Sequence, residues 1–336
     1  MDPVTHGLIG ALAGSCAVDR TELRPAAAIG LVAALVPDLD ILIRSANDPL
    51  VTLEAHRQYT HALIALPVVT LVVSAIAWPI ARRFISVPGI LLAAFVGALS
   101  AMLLDACTSY GTSLLWPFSH TRIALNIIAI VDPLLSCMAL TLLIIALTRE
   151  RRVWAAWGLC ASFAYLGFGW LQHERASYVA QVLANDRGHR IDRLEVKPTL
   201  GNTLLWRTLY LSGQHVHADA VRLGLFAGVS VYEGETVRLL EPRTLPVPPG
   251  STQHTDVERF TALSDGYVVY HPAHPFVVGD ARFSMLPNSL RPLWGIKLDP
   301  AEPDDHVEFV TFRDTHKAAV ETYLSMLLGR PLENEL

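Results

Sequence analysis

Apolar runs dominate the first half of the chain, separated by short polar breaks. They cover residues 5–18, 25–45, 61–81, 88–107, about 123–147 and 153–173. The last four approach the roughly 20 residues that a spanning helix needs, whereas 5–18 is too short to cross alone. The second run is interrupted at Pro37, Asp38 and Asp40. From about residue 176 the pattern shifts to short stretches rich in β-branched and aromatic residues. Examples are LEVKP at 194–198, LLWRTLYL at 204–211, HVHADAVRL at 215–223 and GYVVYH at 266–271, with further stretches at 281–286, 293–298 and 307–313. Gly and Pro punctuate them, as in PRTLPVPPG at 242–250, which predicts mainly antiparallel strands. Residues 315–328 predict one amphipathic helix. The expected fold is an α-helical polytopic membrane domain over 1–175, followed by a mainly β soluble domain over 176–336 with a C-terminal helix.

Composition agrees with this division. The 336 residues allow about two domains, and 17% charged residues is well under the roughly 25% of soluble proteins. Residues 1–175 hold 11 Arg, 11 Asp or Glu and no Lys, so the net charge of −5 belongs to the second half. Neither half shows the basic stripe of a nucleic-acid binder. The four cysteines, Cys16, Cys107, Cys137 and Cys160, are far apart and form no CxxC pair. That excludes a disulfide framework and a thiolate zinc site. The first residues lack the basic region of a cleavable signal peptide.

Alternating the spans sorts the arginines onto two sides. Arg20, Arg24, Arg82, Arg83, Arg149, Arg151 and Arg152 fall on one; Arg44, Arg57, Arg122 and Arg175 fall on the other. The richer side is expected to be cytoplasmic. The chain then resides in a bacterial inner membrane, multi-pass, with the C-terminal domain in the periplasm.

Ionisable groups in or beside apolar spans are costly and so point to function. They are His6, Asp38, Asp40, His56, Arg57, His61, Asp105 and Asp132. Under this topology His6, Asp38, Asp40, His56, His61 and Asp105 converge on one outer face from four segments. Imidazole with carboxylate suits zinc, iron, manganese or nickel, while magnesium and calcium prefer oxygen alone. The two carboxylates of PDLD lie about 200° apart on a regular helix. A break at Pro37 is therefore expected to present both. His61 is expected to open a helix whose N-terminus favours an anion, with Arg57 clamping that anion bidentately. Asp132, followed by Pro133, reads as a helix-kink or hydrogen-bonding residue. His120 and Arg122 read as interfacial anchors, His173 and Glu174 as the membrane exit. In the second half His215, His217, His271, His274, His306 and His316 read as surface residues.

DPVTHGLIG at 2–10, PDLD at 37–40, HRQYTH at 56–61 and LDACTSYGTSLLWPFS at 104–119 resemble the YdjM/YbcI-type family of membrane-bound metal-dependent hydrolases, over roughly residues 1–175. The family is described as distantly like zinc-dependent phospholipase C. The resemblance implies His6, Asp38, Asp40, His56, His61 and Asp105 as ligands of a divalent transition metal, zinc first, manganese or iron as alternatives. It does not supply a substrate.

The expectation is a membrane-bound hydrolase in which water acidified by the ion attacks a phosphoester or ester. Asp38 takes the proton, Arg57 holds the anionic group, and Thr108 and Ser109 assist. The expected partners are the lipid bilayer and a lipid or amphiphilic substrate, with no nucleic acid. The alternative is a non-enzymatic transporter or scaffold whose polar network is structural.

Overall fold

A computed structural model describes residues 1–225, 228–312 and 317–332. Arg313 of the stretch at 307–313, and Thr315 and His316 of the predicted C-terminal helix, lie outside the described residues. The chain divides into two units. One comprises Met1–Ile43, Ala55–Leu171 and Leu200–Thr203; the other comprises Arg44–Glu54, Gln172–Thr199 and Leu204–Leu336.

The first unit is helical. α1 (Pro3–Cys16) starts where Asp2 accepts a hydrogen bond from the Thr5 amide at 3.0 Å, with Pro3 at the first helical position. α2 (Leu23–Leu35) runs into a 3-10 turn at Pro37–Leu42. Pro37 removes an amide donor and stops the wider helix there. The short α3 (Leu50–Ala55) belongs almost wholly to the second unit. α4 (Leu66–Ala81), α5 (Val87–Ala106), α6 (Pro133–Arg149) and α7 (Arg152–Asp186) follow. Among the described residues, three segments are long and apolar enough to cross a membrane: Arg20–Leu42, Leu63–Ala81 and Val87–Ala106. The span expected over 123–147 starts only at Pro133, because the Asp132 carboxylate caps the helix there, accepting from the Leu135 amide at 3.0 Å. Likewise α7 does not end near residue 175 but continues to Asp186, and its residues divide between the two units.

Small residues set how closely α1, α2 and α5 pack. A methyl group on Gly30 of α2 would meet the Gly10 carbonyl oxygen at 2.2 Å, and one on Gly97 of α5 would meet the Gly30 oxygen at 2.4 Å. Only glycine permits backbones this near, as is common in membrane helix pairs. The tight crossing brings the start of α1 beside the ends of α2 and α5.

In the second unit β1 (Arg193–Pro198), β2 (Leu205–Ser212), β3 (His215–Leu223) and β4 (Val229–Tyr232) form an antiparallel sheet, with β5 (Thr236–Arg238) also pairing with β3. Alternation along the strands separates two faces. One face, carrying Val196, Trp206 and Val221, packs against Ala176 and Leu183 of α7. The other, carrying Leu209, Val216 and Ala218, meets Tyr267 and Val269 of a second sheet. That sheet contains β6 (Val268–His271), β7 (His274–Asp280), β8 (Trp294–Lys297) and β9 (Glu308–Thr311), antiparallel in that order. Phe260 of α8 (Thr252–Leu263) and Leu50 of α3 fill its far side. A helix, α9 (Lys317–Leu328), ends the described chain.

These antiparallel sheets and terminal helix are the fold the sequence pattern implied, with two local differences. The stretch 281–286 is a turn, because the Asp280 carboxylate accepts from the Arg282 amide and side chain, both at 3.0 Å. His217 and His271, expected at the surface, are buried at 9% and 8% exposure. Strand alternation turns His217 inward; the irregular end of the β6–β7 hairpin packs His271 against Phe312.

Candidate metal centre

Four helix ends meet at one end of the first unit. His6 lies in the first turn of α1 and Asp38 in the 3-10 turn after α2. His61 precedes α4, and Asp105 sits in the last turn of α5. His6, His61 and Asp105 are fully buried, and the Asp38 side chain is 21% exposed. The His61 Nε2 atom lies 3.0 Å from Asp105 Oδ2 and 3.4 Å from Asp38 Oδ1. The His6 Nε2 atom lies 3.3 Å from Asp105 Oδ1. Despite this proximity, His6 Nε2, His61 Nε2 and Asp105 Oδ2 have no hydrogen-bond partner. Buried polar atoms are rarely left so.

A cation would satisfy those atoms. Two donors bonded to one ion at about 2.1 Å, at angles of about 90–110°, lie about 3.0–3.4 Å apart. The three contacts fall in that interval. Ligand atoms of His6, Asp38 and Asp105 also lie within 4.8 Å of one another. Two imidazole nitrogens with carboxylate oxygens are a donor set for zinc, iron or manganese rather than for calcium. The residues present therefore fit a divalent transition metal.

The remaining nitrogen of each imidazole is already engaged. His6 Nδ1 is 3.1 Å from Asp38 Oδ2, and His61 Nδ1 is 3.1 Å from Thr60 Oγ1 and 3.2 Å from Asp40 Oδ2. Carboxylates that hold Nδ1–H in this way fix the tautomer and leave Nε2 with its lone pair. Asp40 itself has no oxygen to spare. Oδ2 accepts from the Arg57 amide at 2.9 Å and from Thr60 Oγ1 at 2.7 Å, and Oδ1 pairs with His56 Nδ1 at 2.6 Å. Asp40 and His56 therefore stand one layer behind His61, while His6, Asp38 and Asp105 form the group with ligand spacing and His61 Nε2 contacts both of its carboxylates. The break at Pro37 does aim both carboxylates of PDLD toward the cluster, but at different histidines.

Arg57 takes another form than the open anion clamp expected of it. It occupies the left-handed backbone region at φ 60° and is 3% exposed. Its Nη2 bonds Asp105 Oδ1 and its Nη1 donates to Thr108 Oγ1, both at 2.9 Å. The guanidinium also lies 5.4 Å from the centre of the Tyr110 ring. Asp105 Oδ1, which also contacts the Met1 amine and His6 Nε2, is thereby crowded, and Oδ2 is the oxygen left facing His61. Thr108 is buried and donates to the Asp105 carbonyl at 2.8 Å; Ser109 is buried next to it. Burial alone would lower the His61 pKa. The Asp105, Asp38 and Asp40 carboxylates around the ring outweigh it and push the value up to about 10. The surrounding carboxylates thus favour positive charge at this place.

Asp132 stands apart from the cluster as the cap of α6, where Oδ2 also accepts from the Tyr165 hydroxyl at 2.8 Å. Thr60 was missed in reading the sequence, although it sits inside the HRQYTH motif beside His61. Tyr110, also missed, lies inside the 104–119 motif. A second group with ligand spacing, Asp48, Asp256 and His306, occurs in the β-rich unit. There Arg259 bonds Asp48 at 2.9 Å and Asp256 at 2.8 Å, so a guanidinium already supplies the positive charge.

A family model described as YdjM inner membrane protein matches residues 1–176, the stretch that contains every residue of the helical cluster. No curated protein and no solved structure matches the chain. The likeness to zinc-dependent phospholipase C finds no support in these comparisons.

Proposed function

From the premise that the chain belongs to the YdjM inner membrane protein family, we propose that it is a membrane-bound, metal-dependent hydrolase of a lipid-like ester or phosphoester. The observation that carries this reading is the trio of buried, unpartnered atoms on His6, His61 and Asp105. His6, His61 and Asp105 would hold the ion, zinc first, through Nε2, Nε2 and Oδ2. When bound, such an ion supplies Lewis acidity to water and to an ester or phosphoryl oxygen.

The chain's own residues perform the rest. Asp38 is the carboxylate of the cluster that solvent reaches, and it accepts the proton of the attacking water. Asp40 and Asp38 keep the two imidazoles in the ligating tautomer. Arg57 holds Asp105 in place and balances its charge, which burial would otherwise make costly. An apolar groove of 220 Å³ between α1, α5 and α7 supports a lipid-like substrate. Ile9 and Leu104 line it, one turn from His6 and one residue from Asp105, so an acyl chain in the groove ends near the cluster. We place the β-rich unit in the periplasm on the arginine distribution. A reporter active only in the cytoplasm, fused after Leu336, should then be silent.

The test is metal analysis of tag-free protein purified in detergent, beside His61→Ala and Asp105→Ala. The wild type should carry an ion that both variants lose; equal content in all three removes the centre. Asp38→Asn should keep the ion and lose turnover on a panel of phosphoesters and lipid esters. Turnover by the wild type should vanish on chelation and return with zinc or manganese. A loaded protein with no turnover on any of them would leave a metal site without the hydrolase.

A further inference from the structure

The second unit holds a cavity of 520 Å³ that plays no part in the helical centre. Its volume falls within the roughly 300–1,000 Å³ of small-molecule sites. The walls come from the β6–β7 hairpin, the chain between β7 and β8, the residue after β9, and Ala319 of α9. Three rings line one part of it. His271 and His274 pair across the hairpin turn, with ring centres 4.7 Å apart. The Phe312 amide donates to the Leu293 carbonyl at 2.7 Å, which fixes that residue beside the hairpin. Its ring lies 4.3 Å from that of His271 and 4.8 Å from that of His274, so the three separations close one triangle. Met285, Leu286 and Pro292 extend the apolar wall.

The polar part of the wall is rich in donors. The Ala273 amide donates to His271 Nδ1 at 3.2 Å, so the ring proton sits on Nε2. Among the described residues that Nε2 has no hydrogen-bond partner. Burial first, and then His274 and Arg291 nearby, lower the His271 pKa, which leaves the ring a neutral donor. Arg291 lines the same cavity, and among the described residues its guanidinium forms no ion pair. The Ser289 hydroxyl is already bonded to Glu235 Oε2 at 3.1 Å, and the Leu290 amide donates to the same oxygen at 2.6 Å. No Asp or Glu lines the cavity among the described residues. An uncompensated guanidinium on an apolar wall favours a negative charge opposite it.

We propose that this cavity binds a small organic anion, its carboxylate or phosphate group held by Arg291 and His271 and its apolar body lying against the three rings. A guanidinium takes either group through two parallel hydrogen bonds, and stacked ring faces supply apolar contact area. A cage of rings alone would suit a cation; the charge of Arg291 in the same cavity opposes one.

The site is independent of the helical centre, and the experiment keeps the two apart. Full-length, tag-free protein in phosphatidylcholine nanodiscs is titrated calorimetrically with naphthylmethylphosphonate, naphthoate, naphthylmethylammonium and inorganic phosphate. Empty nanodiscs give the partitioning background. Each titration is repeated on His61→Ala, so that an anion taken up at the helical centre is recognised by its loss there. At least one organic anion should bind once per chain in both backgrounds, at least tenfold more tightly than the ammonium probe and inorganic phosphate. The tighter of the two anions identifies the head group. Arg291→Ala changes an exposed residue and should weaken that binding at least tenfold, while Arg190→Ala, also exposed, should leave it unchanged. Phe312→Leu should weaken it at least threefold, with thermal unfolding confirming that each variant folds. Binding of neither organic anion at millimolar concentration would overturn the proposal. So would an ammonium probe that binds as tightly, or unchanged affinity in Arg291→Ala.

Discussion

Replacing Asp40 by Asn separates a residue that binds the ion from one that holds a ligand. Asp40 reaches toward His61 Nδ1 at 3.2 Å, and its oxygens also accept from Thr60, the Arg57 amide and His56. Asparagine has nearly the same shape and keeps one acceptor oxygen, so the turn after Pro37 can persist. What it loses is the charge that stabilises Nδ1–H of His61 and makes Nε2 the better donor. Changes at such supporting positions typically cost 10–100-fold in metal affinity, which is about 1.4–2.8 kcal/mol at 1.4 kcal/mol per tenfold. Asp105→Asn, in contrast, replaces the carboxylate that contacts both imidazoles and should abolish binding at micromolar zinc. The assay is competition of the purified protein with a zinc chelator of known affinity, alongside thermal unfolding to confirm that Asp40→Asn folds. Equal loss in the two variants would mean that Asp40 binds the ion directly. Unchanged affinity in Asp40→Asn would mean that His61 needs no partner, and the layered arrangement would be refuted either way.

Three further outcomes follow from the same geometry. Gly30→Ala forces a methyl group to within 2.2 Å of the Gly10 oxygen; overpacking of this kind costs about 1–3 kcal/mol and should lower both the melting temperature and zinc affinity, with no change in either as the contrary result. Asp132→Ala removes the α6 cap and the Tyr165 partner, so unfolding should show a loss of about 0.5–2 kcal/mol while bound zinc stays the same. His61 has its pKa raised to about 10, above the roughly 6.5 of a free imidazole, so its contribution to stability is complete below about pH 6.5 and disappears as pH rises toward 10. The chelated protein should therefore lose melting temperature over that interval, and zinc, which displaces the proton, should bind more tightly as pH rises; a flat profile in both measurements would contradict the assignment.

The helical and β-rich halves were legible because each has its own period of apolar residues. The boundaries were less so, for reasons visible in single residues. Asp132–Pro133 looked like an interruption inside a long apolar run, yet an acid followed by proline is a helix start, and α6 begins there. Nothing in the hydropathy of α7 marks residue 175, because Ala176, Val179 and Leu183 are apolar for a different reason. They pack on the first sheet around Trp206 and Val221. Leu50, within the first half of the sequence, fills the core of the second sheet, a long-range partnership that no local pattern carries. The buried His217 was hidden in the same way: its strand shows the alternation, but the return of His189 over it depends on a turn some 29 residues earlier at Gly188.

In the cluster, residue type was readable and layering was not. A histidine or aspartate beside a membrane span is costly wherever it points, so each of the six candidates stands out equally in the sequence. Their roles divide only when each atom's partners are known. Asp38 and Asp40 are two residues apart and chemically identical, yet Asp40 has both oxygens filled by His56, Thr60 and the Arg57 amide. Asp38 keeps a solvent-reached side facing His61. The difference arises from the tight turn at Pro37–Leu42, which points the two side chains to different histidines. Arg57 shows the same limit: a cation in a loop suggested an anion clamp, but the left-handed backbone at that residue turns the guanidinium inward onto Asp105. An arginine there lets one oxygen of Asp105 stay charged in a buried place while the other remains free for a metal. Substituting Arg57 by Lys would keep a charge but lose the fork that bonds Asp105 and Thr108 together. It therefore reports on positioning of the ligand rather than on recognition of a substrate.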